Sequence, residues 1–259
     1  HMAAQKKFGR SVDYVSCINI SEVFNQVEHG ECDYGVVPIE NSIEGAVTHT
    51  FDILVDSDLK ICSQFEMDIA HNLLSRIPEN KIKRIYSNPQ VFGQCRQWLL
   101  TNMPKVELID AVSSAKAAQI AAKSPARGGA ACIASELAAK EYGLNVLKRN
   151  IQDSAHNITR FLVLSGADVG PTGRDRTSLV FSIKDKVGAL HAMLTPFYKN
   201  KINLTKIESR PSKKKAWDYY FFVDCEGHQK DKAVARALVQ LEGMCKFMKI
   251  LGPYPVLDQ

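Results

Sequence analysis

The run Arg160-Phe161-Leu162-Val163-Leu164 passes directly into Ser165-Gly166-Ala167-Asp168-Val169-Gly170-Pro171-Thr172-Gly173-Arg174, and this junction decides how the chain divides. The first five residues have the apolar content of a buried strand. The next ten carry three glycines and a proline with no apolar period, which predicts an interdomain linker. The pattern differs on its two sides.

Upstream, short apolar runs alternate with helical patterns. Residues 13–18 read as a strand. Asn19-Ile20-Ser21-Glu22 then offers a capping box, and Ile20, Val23, Phe24 and Val27 recur at helical spacing before a stop at Gly30. Residues 34–37 read as the next strand. Residues 82–86 precede Pro89 at a helix start, with Val91, Cys95, Trp98 and Leu99 on the buried face. Residues 106–109 precede Ser113-Ser114 and an alanine-rich helix over 115–122. Residues 130–133 precede Ser135 and a helix ending at Gly143. Such alternation specifies a parallel sheet covered by helices, here in two units. Residues 61–74 are extended and suit a crossover between two lobes, with 160–164 as the returning strand. Two α/β lobes joined by crossing strands place a ligand cleft at the hinge.

Downstream, residues 177–183 alternate as a strand, and Val187, Leu190, Leu194 and Phe197 fit one helix face. Residues 201–209 and 217–223 read as a hairpin around Lys213-Lys214-Lys215, 231–241 as a helix and 247–251 as a last strand. The order βαββαβ is a ferredoxin-like split unit. The fold class is therefore α/β, with a two-lobed domain resembling periplasmic binding proteins followed by an α+β module.

Composition narrows the function. At about 150 residues per domain, 259 residues allow one large domain or two modest ones. The chain is 45% hydrophobic and has no apolar run near the roughly 20 residues of a membrane span. The opening residues show no apolar signal core, so a cytoplasmic protein is expected. A net charge of +5 with one short lysine run argues against nucleic acid as a partner. Cys17, Cys32, Cys62, Cys95, Cys132, Cys225 and Cys245 are too scattered for zinc pairs or a CxxC site and are expected as buried reduced thiols. No phosphate loop, Walker pattern, GxSxG or paired metal ligands occur, so no metal and no cofactor are expected.

Two stretches carry polar groups of chemical interest. Pro38-Ile39-Glu40-Asn41-Ser42 follows a predicted strand. Its polar side chains either face a ligand carboxylate at a helix start or merely cap the helix through Val47, Phe51 and Leu54. In Asp153-Ser154-Ala155-His156-Asn157-Ile158-Thr159-Arg160-Phe161, Arg160 either grips a carboxylate bidentately or forms a surface pair. Thr159 is a hydroxyl donor at a strand start, and His156 reads as structural. Ser87-Asn88-Pro89-Gln90 and Ser113-Ser114 are helix caps first and ligand contacts second.

Several of these strings together resemble one family. Pro38-Ile39-Glu40-Asn41-Ser42, Pro89-Gln90 with Gln94-Cys95, Ser113-Ser114-Ala115-Lys116-Ala117-Ala118 and Asn157-Ile158-Thr159-Arg160-Phe161 resemble the signatures of prephenate dehydratases. Gly188-Ala189-Leu190 and Glu208-Ser209-Arg210-Pro211 resemble the phenylalanine-binding motifs of the ACT regulatory domain that follows in that family. The resemblance runs along the whole chain in the expected order. Asn88 stands where the family usually has His, and the family's opening strand and glycine-rich turn, which a His-x-Ala-Ala string like His1-Met2-Ala3-Ala4 commonly follows, are absent from the given sequence. A molecule beginning at His1 is expected to fold but to work poorly.

The resemblance implies a catalytic domain over 1–166 (lobe one 1–75 and 156–166, lobe two 76–155), a linker over 167–175 and an ACT domain over 176–259. It implies conversion of prephenate to phenylpyruvate with loss of water and carbon dioxide, without a cofactor, under feedback by L-phenylalanine. Thr159 would be catalytic. Glu40, Asn41, Ser42, Ser87, Asn88, Gln90, Ser113, Ser114, Asn157, Arg160 and Phe161 would bind substrate. Gly188, Ala189 and Leu190 would hold phenylalanine, and Glu208, Ser209, Arg210 and Pro211 would close that site from a neighbouring subunit of a homodimer or homotetramer. Some family members carry a chorismate mutase upstream, which the sequence leaves open. The competing readings are arogenate dehydratase, a non-catalytic two-lobed amino-acid or solute binder, and, more distantly, an amino-acid-sensing transcription factor.

Overall fold

In the computed structural model, the structure describes residues 1–154, 156–184, 186–213 and 218–256. Two compact units form, one of Ala3–Glu66 with Arg160–Gln259 and the other of Met67–Thr159. The first begins with α1 (Met2–Phe8), α2 (Ile20–Glu28), β1 (Gly35–Asn41), β2 (Gly45–Ala46), α3 (Thr48–Asp56) and β3 (Lys60–Asp68). The second contains β4 (Asn72–Ser75), β5 (Arg84–Ser87), α4 (Pro89–Gln94), α5 (Arg96–Asn102), β6 (Glu107–Asp110), α6 (Ser114–Lys123), β7 (Ala130–Ala134), α7 (Glu136–Tyr142) and β8 (Asn145–Lys148). The chain returns through β9 (Ile158–Ser165) to β10 (Asp175–Ser182), α8 (Ala189–Lys199), β11 (Leu204–Pro211), β12 (Tyr219–Glu226), α9 (Lys232–Glu242) and β13 (Phe247–Pro255).

Local chemistry sets most helix starts. Asn19 accepts from the Glu22 amide at 2.9 Å, Ser113 from Lys116 at 3.1 Å and Ser135 from Ala138 at 3.3 Å. The helix expected after Pro89 is broken at Cys95, because the Asp153 carboxylate caps a second helix start through the amides of Gln97 and Trp98, at 2.9 and 3.1 Å. The sheet of this unit has the order β6-β5-β7-β4-β8. The expected parallel pairing holds for β5 with β6 and with β7, whereas β4 runs antiparallel to both β7 and β8. β8 was not foreseen.

In the other unit the sheet order is β2-β1-β9-β3, so the expected returning strand lies between β1 and β3. Residues 13–18 form no strand. Val15 is 60% and Ile18 92% exposed, and an alternating pattern without a ladder partner does not make a strand.

The C-terminal order is βαββαβ, in one sheet β11-β12-β10-β13 with antiparallel pairing throughout. One face packs α8 and α9 around Leu179, Phe181, Phe197, Val223 and Leu241. Of the predicted stripe Phe197 is buried, together with Ala189, Met193 and Pro196, whereas α8 starts only after Gly188 and leaves Val187 fully exposed. The other face joins the core of the first lobe, where Val180, Phe222, Leu251 and Tyr254 pack with Ile39, Phe51, Leu54 and Ile61. Gly252 makes this approach possible, because a Cβ there would stand 2.4 Å from the Ile61 carbonyl oxygen. The lysine turn extends outside the described residues at Lys214, Lys215 and Trp217, as does Ala155. Of the cysteines, Cys95, Cys132 and Cys225 are buried and four are only partly so, all of them free thiols. Burial pushes Cys95, Cys132 and Cys225 up to about 12.

Candidate active site

β1 extends through Glu40 and Asn41 rather than ending at Val37, which corrects the expected strand-to-helix turn. Asn41 accepts from the amides of Ile43 and Glu44 at 2.9 and 3.1 Å, and the chain turns into β2 instead of a helix. Neither Asn41 nor Ser42 caps α3, whose N-cap is Val47. Glu40 therefore presents its carboxylate from a strand end.

Arg160 on β9 meets that carboxylate. Its Nη1 donates to Glu40 Oε2 at 3.1 Å, while Nε and Nη2 donate to Glu66 Oε1 on β3 at 3.2 and 3.1 Å. A fourth strand joins from the C-terminal module: Lys206 Nζ on β11 donates to the same Glu40 Oε2 at 2.7 Å and lies 5.3 Å from the Phe51 ring centroid. Burial alone would raise the Glu40 pKa, but the hydrogen bond and charge of Lys206, with the charge of Arg160, outweigh it and hold the carboxyl below its ordinary value. Phe161 stacks on Phe65 with centroids 5.5 Å apart, an apolar support for the strand carrying Arg160. Glu66 and Lys206 were not foreseen. Both lie within strands, outside the motif strings quoted above.

In the other unit, Gln94 Oε1 accepts from Asn157 Nδ2 at 3.0 Å and lies 2.6 Å from His71 Nε2. Burial lowers the His71 pKa, against the Gln94 hydrogen bond, so this pair is an uncharged polar contact. His71 was also missed, since nothing around it suggests a site. Thr159, 8% exposed, is the last residue of this unit. Alternation along β9 puts it on the opposite face of the pleat from Arg160, so the strand does not present the two side by side. Asn88 caps α4 through the Gln90 amide at 3.0 Å, Gln90 is exposed, and Ser113 and Ser114 open α6. Ser87 is corrected: it is wholly buried, and its hydroxyl donates to the Ile133 carbonyl at 2.8 Å, pinning β5 to β7 rather than facing a ligand. His156 is exposed.

A pocket of about 530 Å³ opens in the C-terminal module, lined by Lys186, Gly188, Ala189, Leu190, Asp218 and Tyr219 among others. Gly188 has φ +77 at the α8 N-cap, and an added Cβ would meet nothing within 4 Å, so the backbone there is open to a ligand. The four residues 208–211 are not on one face. Ser209 and Pro211 pair with Phe221 and Tyr219, which line the pocket, whereas Glu208 pairs with Phe222 on the face buried against the first lobe. Among the described residues, no group of His, Cys, Asp and Glu could hold a metal ion, and no helix is long and apolar enough to cross a membrane.

Two α/β units, one of them carrying a half-buried Arg–carboxylate cluster and a βαββαβ module with its own pocket, have the make-up of an enzyme domain joined to a regulatory domain. Residues 1–168 match the family model "Prephenate dehydratase" and residues 177–243 the model "ACT domain"; the chain belongs to the prephenate dehydratase family and carries an ACT domain. It is similar to the bifunctional chorismate mutase/prephenate dehydratase of Aquifex aeolicus, 50% identical over 256 residues, covering 98% of this chain and 70% of that protein. It is also similar to the prephenate dehydratase of Arthrobacter aurescens solved in complex with L-Phe, with TM-score 0.84 and 34% identity, covering 93% of this chain and 81% of that one. GqqA, described as a novel type of quorum quenching acylase, matches with TM-score 0.88 and 26% identity, covering 99% and 94% of the two chains.

Proposed function

We propose that this chain converts prephenate to phenylpyruvate, carbon dioxide and water, and that L-phenylalanine bound at the ACT domain restrains it. The observation that carries the reading is Arg160, a fixed cation braced by Glu40 and Glu66 inside the span that matches the dehydratase family. Prephenate is a dianion with a ring hydroxyl as leaving group. Loss of carbon dioxide supplies the electrons that expel the hydroxyl, and the ring becomes aromatic. Only one proton, delivered to the departing oxygen, is needed to balance the reaction. The protein's task is thus positioning and hydrogen bonding, without electron storage.

Thr159 is assigned the hydrogen bond to the departing hydroxyl, strengthening in the transition state. Arg160 uses three of its five N–H groups on Glu40 and Glu66, which leaves two for a substrate carboxylate. Glu40, paired and ionised, orients Arg160 rather than donating a proton. Asn41, Ser42, Asn88, Gln90, Ser113, Ser114, Asn157 and Phe161 complete the substrate set, with Ser87 removed. In the ACT pocket, Lys186 and Asp218 bring opposite charges to one cavity, which suits a zwitterionic amino acid above Gly188 and Ala189. β11 is an edge strand, and pairing through it with a second copy would build the homodimer or homotetramer. The domain limits 1–166, 167–175 and 176–259 and a cytoplasmic location belong to the same reading.

Incubation with prephenate and, separately, with arogenate tests it. Phenylpyruvate formed from prephenate, slowed by L-phenylalanine, is expected. Faster release of phenylalanine from arogenate would move the substrate assignment, and acylase activity with no prephenate turnover would overturn it.

A further inference from the structure

Within one strand of the ACT domain, Thr205 is an extra residue. Leu204 pairs with Cys225 and Lys206 with Asp224, so two steps along β11 match one along β12. This bulge switches the face of the strand. Leu204 still packs in the core under α8 and α9, whereas Lys206, Glu208 and Arg210 follow on the face buried against the first lobe. Without the bulge Lys206 would point into the helix-side core. With it, the ammonium reaches Glu40 Oε2 at 2.7 Å with its side chain only 14% exposed.

Glu40 Oε2 thereby has two donors, Arg160 from its own lobe and Lys206 from the ACT domain. Arg160 bridges Glu40 and Glu66, and Lys206 adds a second cation at the Glu40 oxygen it shares with Arg160. The same strand lies one strand away from the effector pocket, since Ser209 and Pro211 pair with the pocket-lining Phe221 and Tyr219. A strand is stiff along its length, so a displacement of Ser209 by a ligand or a second copy is felt at Lys206, three residues away.

We infer that Lys206 is a positioning residue of the catalytic site, supplied by the regulatory domain, and that β11 passes the effector's signal to Glu40 and Arg160 through it. The inference rests on the dehydratase reading for its kinetic consequences and on geometry alone for the contact. A ligand in the pocket changes the site at Glu40 only if it binds one position of the strand better than another.

Lys206→Met and Lys206→Arg in the full chain test it, with prephenate kinetics measured with and without L-phenylalanine, effector binding by calorimetry, and the Glu40 carboxyl titration followed by NMR. For Lys206→Met, KM for prephenate is expected to rise about tenfold, the scale of one charge-assisted hydrogen bond, with a smaller change in kcat. L-Phenylalanine should still bind, but its effect on KM should shrink toward none. Lys206→Arg should recover both, which a merely structural lysine would not require. The Glu40 titration should move upward in Lys206→Met whether or not prephenate is the substrate, so it reads the contact independently of the functional assignment. An unmoved Glu40 titration, or wild-type KM with undiminished phenylalanine inhibition in Lys206→Met, overturns the inference.

Discussion

The hydroxyl of Tyr254, on the last strand, donates to Gln64 Oε1 on β3 at 3.2 Å, tying the ACT sheet to the first lobe. Its oxygen also lies 3.1 Å from Ser178 Oγ, which in turn contacts Asp224 Oδ1. Each hydroxyl has one proton. Ser178 gives its proton to the Asp224 carboxylate, so the Tyr254 proton is shared between Gln64 Oε1 and Ser178 Oγ. Desolvation pushes the Asp224 carboxyl upward, partly opposed by the Ser178 hydrogen bond and the charges of Lys206, Arg176 and Arg160.

A folded-state pKa raised above the unfolded one stabilises below the unfolded value, and that contribution is lost as pH climbs through the folded value. Asp224→Asn keeps the buried polar contact and removes the titration. Its denaturation midpoint should therefore fall less than that of the wild type as pH rises from about 4 to 7. Urea melts across that range measure this. Parallel pH profiles would show that Asp224 is ionised in both states.

Ser87 holds β5 against β7 from a wholly buried position. Ser87→Ala leaves the Ile133 carbonyl without its donor and should cost about 1–3 kcal/mol of stability. KM for prephenate should change by no more than about twofold, because the hydroxyl faces strand rather than ligand. Denaturant unfolding alongside steady-state kinetics separates the two effects.

Thr159→Ala should lower kcat by about two to four decades with the fold intact, the usual scale for losing a positioned proton or hydrogen-bond donor. Single-turnover rates with unchanged circular dichroism would show it. Turnover near that of the parent chain would remove Thr159 from the chemistry.

Gly188→Val places a branched side chain at φ +77 and at the mouth of the effector pocket. Calorimetry should find L-phenylalanine binding reduced by at least about tenfold, while prephenate turnover without effector persists. Undiminished binding would put the effector elsewhere.

Much of this architecture is written locally. The caps at Asn19, Ser113 and Ser135 read correctly because one side chain and an amide two or three residues on suffice to start a helix. The ACT order was legible because period-2 and period-3.6 patterns alternate cleanly there. Residues 13–18 misled because propensity does not reveal whether a neighbouring strand is available. Ser87 misled because a serine before a helix looks the same whether its hydroxyl turns out to a ligand or in to Ile133. Glu66 and Lys206 were invisible for a different reason. Their importance comes from four strands meeting at Glu40 and Arg160, and for Lys206 from a one-residue bulge that no composition rule announces.

The central claim is that this chain turns a dianionic ring into an aromatic one with side chains alone. Purified protein given carboxyl-labelled prephenate, with evolved carbon dioxide and phenylpyruvate quantified together, tests it most directly. The account predicts the two products in equal amounts, at a rate that falls when L-phenylalanine is added. Prephenate recovered intact from folded protein would contradict it.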